Sequence, residues 1–216
     1  MGRWAHDRRT AQRPLPSWAT YRETIGDRTS LFTEVVAAFG TERALYLGSY
    51  LDLAPSAAIR SVTYVDLDRR AARYFADPDR VAADLAGRTG AGAGEDVEFL
   101  EADYVSHLPV PDAAFDLIVS LYAGPTWDHP RRHLAPGGLF LANASHGDAS
   151  LAALDESLEF VAAVQHRGDD YRLDREGLDT YLVPKKPAAA DAELIRAAGK
   201  GIAYTRPAFA YVFRLR

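Results

Sequence analysis

The sequence contains no cysteine. Disulfides, thiolate metal sites and cysteine nucleophiles are therefore excluded, and the chain carries no mark of a redox compartment. Long apolar runs are missing as well, since none approaches the ~18 residues of a membrane helix. The first residues, Met1-Gly-Arg-Trp-Ala-His-Asp-Arg-Arg9, are basic but lack the apolar stretch of a secretory signal, so a soluble cytoplasmic protein is expected. An excess of positive charge is also lacking. The net charge of −5 and pI near 5.7 argue against a nucleic-acid surface. The pairs Arg8-Arg9, Arg69-Arg70 and Arg131-Arg132 have acids nearby and read as solvated faces. Metal-ligand spacing is absent too. His129 and His133 stand four apart, but Pro130 lies between them and no third ligand accompanies them, so no metal is expected. A Walker loop and a G-x-S-x-G nucleophile elbow are not found.

What is present is a regular alternation. A short apolar run, Ala44–Leu47, ends at Gly48, and a second, Val62–Val65, ends on Asp66. A strand, a glycine turn, a crossover and a strand closing on an acid outline a nucleotide-binding α/β unit, although one glycine stands here instead of three. Further strands are expected at Val97–Leu100, Phe115–Leu121, Leu139–Ala144 and Leu158–Val164, and a last one at 203–213. Helices are expected at Ser17–Gly26, from Thr29 or Ser30 to Gly40, after an Asp68 cap, through Val81 and Leu85, at Thr126–Leu134, from Asp148 to about Glu156, and at Ala190–Gly199. Asp170–Leu173 and Thr180–Val183 read as two strands of a hairpin beside the sheet. The glycine-rich segment 87–94 has no strand before it and no helix after it, so it reads as a surface loop rather than a phosphate cradle. At 216 residues the chain fits one domain, an α/β sandwich on a mostly parallel sheet.

In such sheets ligands bind outside the carboxyl ends of the strands, where the strand order reverses. That rim should carry Gly48-Ser49-Tyr50, Asp66-Leu67-Asp68, Asp103-Tyr104, Ser120-Leu121-Tyr122 and Ser145-His146.

The same segments resemble class I S-adenosylmethionine-dependent methyltransferases, well over residues 41–145 and loosely beyond. "ALYLGS" stands where that family has its glycine-rich first motif, and "VTYVDLD" looks like its second strand. "FLEADYVS" resembles the segment beside the adenine. "FDLIVSLYAG" and "HLAPGGLFLAN" are similar to the fourth strand and to the Leu-x-Pro-Gly-Gly loop with the fifth. The resemblance implies a Rossmann-like three-layer sandwich, with a seven-stranded, mostly parallel sheet and an antiparallel last strand. Residues 1–40 would form an arm and helices serving as a lid. Residues 41–216 would form the methyltransferase-like domain, with a β-hairpin added at 165–185.

It also implies S-adenosylmethionine as cofactor, held by Gly48, Ser49, Tyr50, Asp66, Leu67, Asp103, Tyr104, Ser120 and Tyr122. Asp66 would take the ribose hydroxyls and Asp103 the exocyclic amine. Tyr46 stands at the family's acid position, and Tyr50 and Asp52 at its second and third glycines, so the loop cannot follow the same path. For the acceptor, Tyr21, Trp127 and Asn143 are the expected contacts, Trp18 is a further lid candidate, and His129 and His146 are rival general bases. His107 and His133 read as ordinary surface or loop histidines. The function implied is in-line methyl transfer to a small molecule, with no nucleic acid and no membrane as partner, and with a homodimer left open. The alternatives are a non-methylating use of the sulfonium and a degenerate fold that binds a ligand or partner without catalysis.

Overall fold

The computed structural model describes residues 16–168 and 170–216; most of the expected polar arm lies on 1–15, outside the described residues. Five strands run parallel: β1 (Arg43–Leu47), β2 (Ser61–Asp66), β3 (Asp96–Glu101), β4 (Phe115–Ser120) and β5 (Leu134–Ala142). They are followed by β6 (Leu158–Arg167), β7 (Asp170–Asp174) and β8 (Ala210–Leu215). The sheet order is β3-β2-β1-β4-β5-β8-β6-β7, with β8 antiparallel to both β5 and β6. The order reverses between β1 and β4, which are neighbours in the sheet and distant in sequence.

Among the described residues eight strands stand where seven were expected. The extra one is β7, which pairs antiparallel with an extended β6 from Ala163↔Asp174 to Arg167↔Asp170. The stretch Thr180–Val183 is no strand. A 3-10 turn covers Leu178–Thr180, and Tyr181 is buried, its hydroxyl donating to Asp174 Oδ2 at 2.6 Å and accepting from Gln165 Nε2 at 2.7 Å. That anchorage removes the residue a strand would have needed.

Both faces of the sheet are covered, which is why its central strands are apolar throughout. Ala44 and Tyr46 face a layer built by α1 (Trp18–Ile25), α2 (Thr29–Phe39), α3 (Arg69–Phe75) and α4 (Pro78–Leu85). Leu45 and Leu47 face the opposite layer, which contains α5 (Asp148–Ala152), with α6 (Ala192–Ala198) packed on it. Local signals set several boundaries. Gly40, at φ 71°, ends α2 with its amide on the Val36 carbonyl, and the Asp68 carboxylate caps α3 through the Arg70 amide.

Two expected helices are shorter. Of Thr126–Leu134 only a 3-10 turn, Pro130–His133, forms, because the Asp148 carboxylate takes the Thr126 and Trp127 amides before it. α5 stops at Ala152. The glycine-rich loop spends two of its amides on carbonyls, Gly90 on Ala57 and Gly94 on Ile59, at the end of the sheet away from the rim. Among the described residues no helix is long and apolar enough to cross a membrane.

Candidate functional site at the carboxyl ends of the strands

Gly48 closes β1 at φ 62°, its amide bonded to the Val65 carbonyl. A Cβ at this position would lie 2.9 Å from the Ala123 Cβ and 3.5 Å from the Tyr104 ring, so only glycine fits. Tyr50 follows at φ 47°, a left-handed backbone that costs a bulky residue roughly 1–3 kcal/mol unless its surroundings impose it. They do so here. The Tyr50 amide donates to Asp66 Oδ2 at 2.7 Å, and its ring meets Tyr21 edge to face at 4.9 Å. The Arg70 guanidinium lies 5.1 Å from the Tyr50 ring. Asp66 Oδ1 accepts the Asp68 amide at 2.8 Å, so each carboxylate oxygen keeps a lone pair toward solvent. Beside it Leu67 is 58% exposed, and Val105, after β3, is also exposed. Asp103 accepts the Val105 amide, and Tyr104 is half-buried against Gly48. Burial raises the Tyr104 phenol, and the charges of Asp66, Asp103 and Asp148 push the same way.

Across Gly48, on the β4 side, lies a cavity of about 380 Å³ roofed by α1. Tyr21, Ile25, Ser49, Leu121 and Tyr122 line it, and its floor is the Arg28 guanidinium with the Tyr46 hydroxyl. Arg28 Nη1 donates to Asp52 Oδ2 at 3.0 Å and to Tyr46 Oη at 3.2 Å, and Tyr46 Oη donates to the same Asp52 oxygen at 3.0 Å. Asp52 is thus turned inward from its glycine position and meets the tyrosine that stands at the acid position. Burial and the adjacent Asp52 charge hold the Tyr46 phenol far above its ordinary range, with Arg28 opposing them. The Arg28 guanidinium is in turn held further on its charged side by Tyr46 and Asp52, against its own desolvation. Tyr122 sits at φ 65°, 51% exposed, with Arg28 5.3 Å from its ring and its amide on Asn143 Oδ1 at 3.4 Å.

Other rim residues serve the frame. Ser120 is buried and donates to Asp148, which also holds Thr126 Oγ1. Desolvation raises the Asp148 carboxyl, and the hydrogen bonds from Ser120, Trp127 and Thr126 oppose that rise. Trp127 departs from its expected substrate role. It is 1% exposed, its ring tilted against Phe140 at 4.7 Å, with Nε1 on Asp155 at 2.7 Å, and so belongs to the core. His129 and His146 are both exposed and neither lines the cavity. His133 is buried, not on the surface, with Nδ1 3.0 Å from the Pro111 carbonyl. Asn143 is buried with Oδ1 engaged by Ser145 and Nδ2 unpartnered. Arg28, Asp52 and Asp148 were not among the expected site residues. The partners of Arg28 and Asp148 are distant in sequence, so nothing in their immediate neighbours announces a role.

No protein-family model matches the chain, and no curated protein does. Solved structures do resemble it. An rRNA methylase from Escherichia coli superposes over 92% of this chain and 67% of its own, with TM-score 0.50 and 13% identity. The fold is a Rossmann-like methyltransferase fold. The N-methyltransferase NodS from Bradyrhizobium japonicum, solved with S-adenosyl-L-homocysteine, covers 92% of this chain and 87% of its own, with TM-score 0.43 and 15% identity. At such identities the likeness concerns the fold, and the activity has to be argued from the site.

Proposed function

We propose that the protein is an S-adenosylmethionine-dependent methyltransferase acting on a small molecule. The observation that carries this reading is the pairing of two features at the switch point. An acid with free lone pairs and an exposed leucine follow β2, and a cavity opens across Gly48. The residues fit the cofactor. Asp66 would accept from the ribose hydroxyls, Leu67 offers an apolar face for the adenine, and Asp103 keeps an oxygen for its amine. Gly48 supplies the left-handed turn, with Ala123 and Tyr104 packed where a side chain would stand. When bound, the cofactor supplies a methyl group on a cationic sulfur, and aromatic faces such as those of Tyr21 and Tyr122 suit a neighbouring cation. The remaining work is positioning, which can contribute on the order of 7–11 kcal/mol.

A small acceptor is favoured over nucleic acid by size and charge. The cavity is within the ~300–1,000 Å³ range of small-ligand sites. Among the described residues several exposed arginines are paired with acids, including Arg70 with Asp68, Arg196 with Asp128 and Arg172 with Asp174. A second reading, a ligand-binding protein without catalysis, is favoured by Tyr50 and by Ala123 pressed against Gly48.

Isothermal titration with S-adenosylmethionine and S-adenosylhomocysteine separates the two. Folded protein giving no heat with either would sink the enzyme reading. If both bind, Asp66→Ala should weaken them by at least about 1.4 kcal/mol, roughly tenfold. An unchanged affinity removes Asp66 from the site.

A further inference from the structure

A second pocket, of about 240 Å³, lies on the outer side of Tyr21. Thr20, Tyr21 and Thr24 of α1 line it together with Tyr50 and Leu51, and Tyr21 and Thr24 also border the cavity beside Gly48. Tyr50 stands where the resembled family has a glycine, so this wall is the chain's own. Its φ of 47° is a left-handed conformation held by the bond to Asp66, and strained backbone of this kind gathers at functional sites. No charged residue lines the outer pocket among the described residues. Arg70 reaches the Tyr50 ring, but its guanidinium is bound to Asp68 at 2.6 Å. The polar groups are hydroxyls. Thr24 is exposed, Tyr21 and Tyr50 are half-buried, and none of the three hydroxyls has a hydrogen-bond partner among the described residues. Thr20 Oγ1 meets Ser17 Oγ at 3.1 Å and keeps further capacity. Burial raises the Tyr21 and Tyr50 phenols, so both stay neutral and can donate as well as accept. Thr20 and Thr24 are four apart on α1 and share a face. Threonine is a weaker helix former than alanine, glutamate or lysine, so helix stability alone does not account for that face.

The rings of Tyr21 and Tyr50 meet nearly at right angles, 4.9 Å apart, and present aromatic surface along the same pocket. Hydroxyls of both capacities, aromatic surface and the absence of charge suit one chemistry. A sugar ring carries hydroxyls around its rim and C–H groups on its faces. A carboxylate, phosphate or ammonium group would be desolvated here without a counter-charge. We propose that the outer pocket binds a neutral sugar ring, and that the methyl acceptor is a sugar or small glycoside held there beside the cavity at Gly48. The term acceptor rests on the transferase reading, whereas the binding of a sugar does not.

The test is an NMR titration of the full chain with the methyl glycosides of glucose, galactose, mannose and rhamnose, with cyclohexanol and with glucuronate, each with and without saturating S-adenosylhomocysteine. At least one glycoside should bind about tenfold more tightly than cyclohexanol and than glucuronate, and S-adenosylhomocysteine should leave its affinity within about threefold. Thr20→Val and Thr24→Val keep the side-chain shape and remove a hydroxyl. Each should weaken that glycoside by at least about threefold while thermal unfolding stays cooperative. Should one variant fail to fold, the other and the cyclohexanol comparison decide. Absence of glycoside binding, equal affinity for cyclohexanol, tighter binding of glucuronate, or unchanged affinity in both variants overturns the proposal. So does displacement of the glycoside by S-adenosylhomocysteine, because the sugar would then occupy the cofactor's own place. Glycoside binding in a protein that ignores S-adenosylhomocysteine would retain the sugar site and remove the transferase reading; the reverse result would do the opposite.

Discussion

The two flanks of Gly48 are built by different rules. On the β2–β3 side each acid takes an amide from its own neighbourhood, and Asp66 alone among them also takes the Tyr50 amide. Asp66 accepts the Asp68 amide, Asp68 the Arg70 amide and Asp103 the Val105 amide, each two residues ahead. This is the local side-chain turn that aspartate forms readily, and it leaves the surface shallow, with Leu67 and Val105 exposed. On the β4 side Asp52 also takes an amide two residues ahead, that of Ala54, but its other oxygen serves a longer-range network. Arg28 meets Asp52 across 24 positions of sequence, and the network they share with Tyr46 is buried. One flank presents an open ledge for a ligand to lie on, and the other a preformed recess with fixed donors. The difference predicts that mutations on the two flanks will fail in different ways.

The largest effect should come from the buried side. Asp52→Ala leaves the Arg28 charge desolvated and unpaired, which typically costs about 3–5 kcal/mol. Denaturant unfolding should report a loss of that size with an unchanged slope. A loss below about 1 kcal/mol would mean that water reaches the pair and that the recess is not closed. On the ledge, Asp68→Ala removes a helix cap and should cost about 1 kcal/mol at neutral pH. This contribution depends on pH. The hydrogen bond from Arg70 and its charge hold the Asp68 carboxyl below its ordinary value. The stabilisation is therefore complete above the unfolded pKa of about 3.9 and is lost as the pH falls through the lower folded one. The gap between wild type and variant should narrow in acid, and a gap that stays constant from neutral pH to pH of about 2 would contradict the assignment.

The same division governs what could be read from the sequence. The Asp68 cap, the Gly40 stop and Asp66 at the end of β2 were legible because each depends on residues next to it in the chain. The sheet was legible because both faces of its centre are buried and its central strands are largely apolar. Arg28, Asp148 and Tyr171 were not, since a buried charge or hydroxyl declares itself only through partners brought in by the fold. Trp127 misled for the same reason. It follows β4 toward the rim, but Asp155 draws its indole inward. The stretch around Tyr181 has strand-forming residues, yet one hydroxyl bonded to Asp174 and Gln165 fixes it as a turn.

Tyr50 lies where the flanks meet, and its replacement gives the smallest and sharpest prediction. Tyr50→Gly relieves a left-handed backbone worth roughly 1–3 kcal/mol, but it returns about 0.5–1 kcal/mol of chain entropy to the unfolded state. It also removes the edge contact with Tyr21 and the Arg70 contact, together on the order of 1–2 kcal/mol. These terms nearly cancel, so stability should change by no more than about 1 kcal/mol. The affinity for S-adenosylhomocysteine is the more telling number. Tyr50 does not line the cavity of about 380 Å³; it lines a neighbouring one of about 240 Å³ on the outer side of Tyr21. Its ring therefore stands beside the path a ligand would take, and the affinity should stay within about threefold of wild type. A gain of about tenfold on substituting glycine would mean that the ring blocks the site and that the loop evolved away from the cofactor.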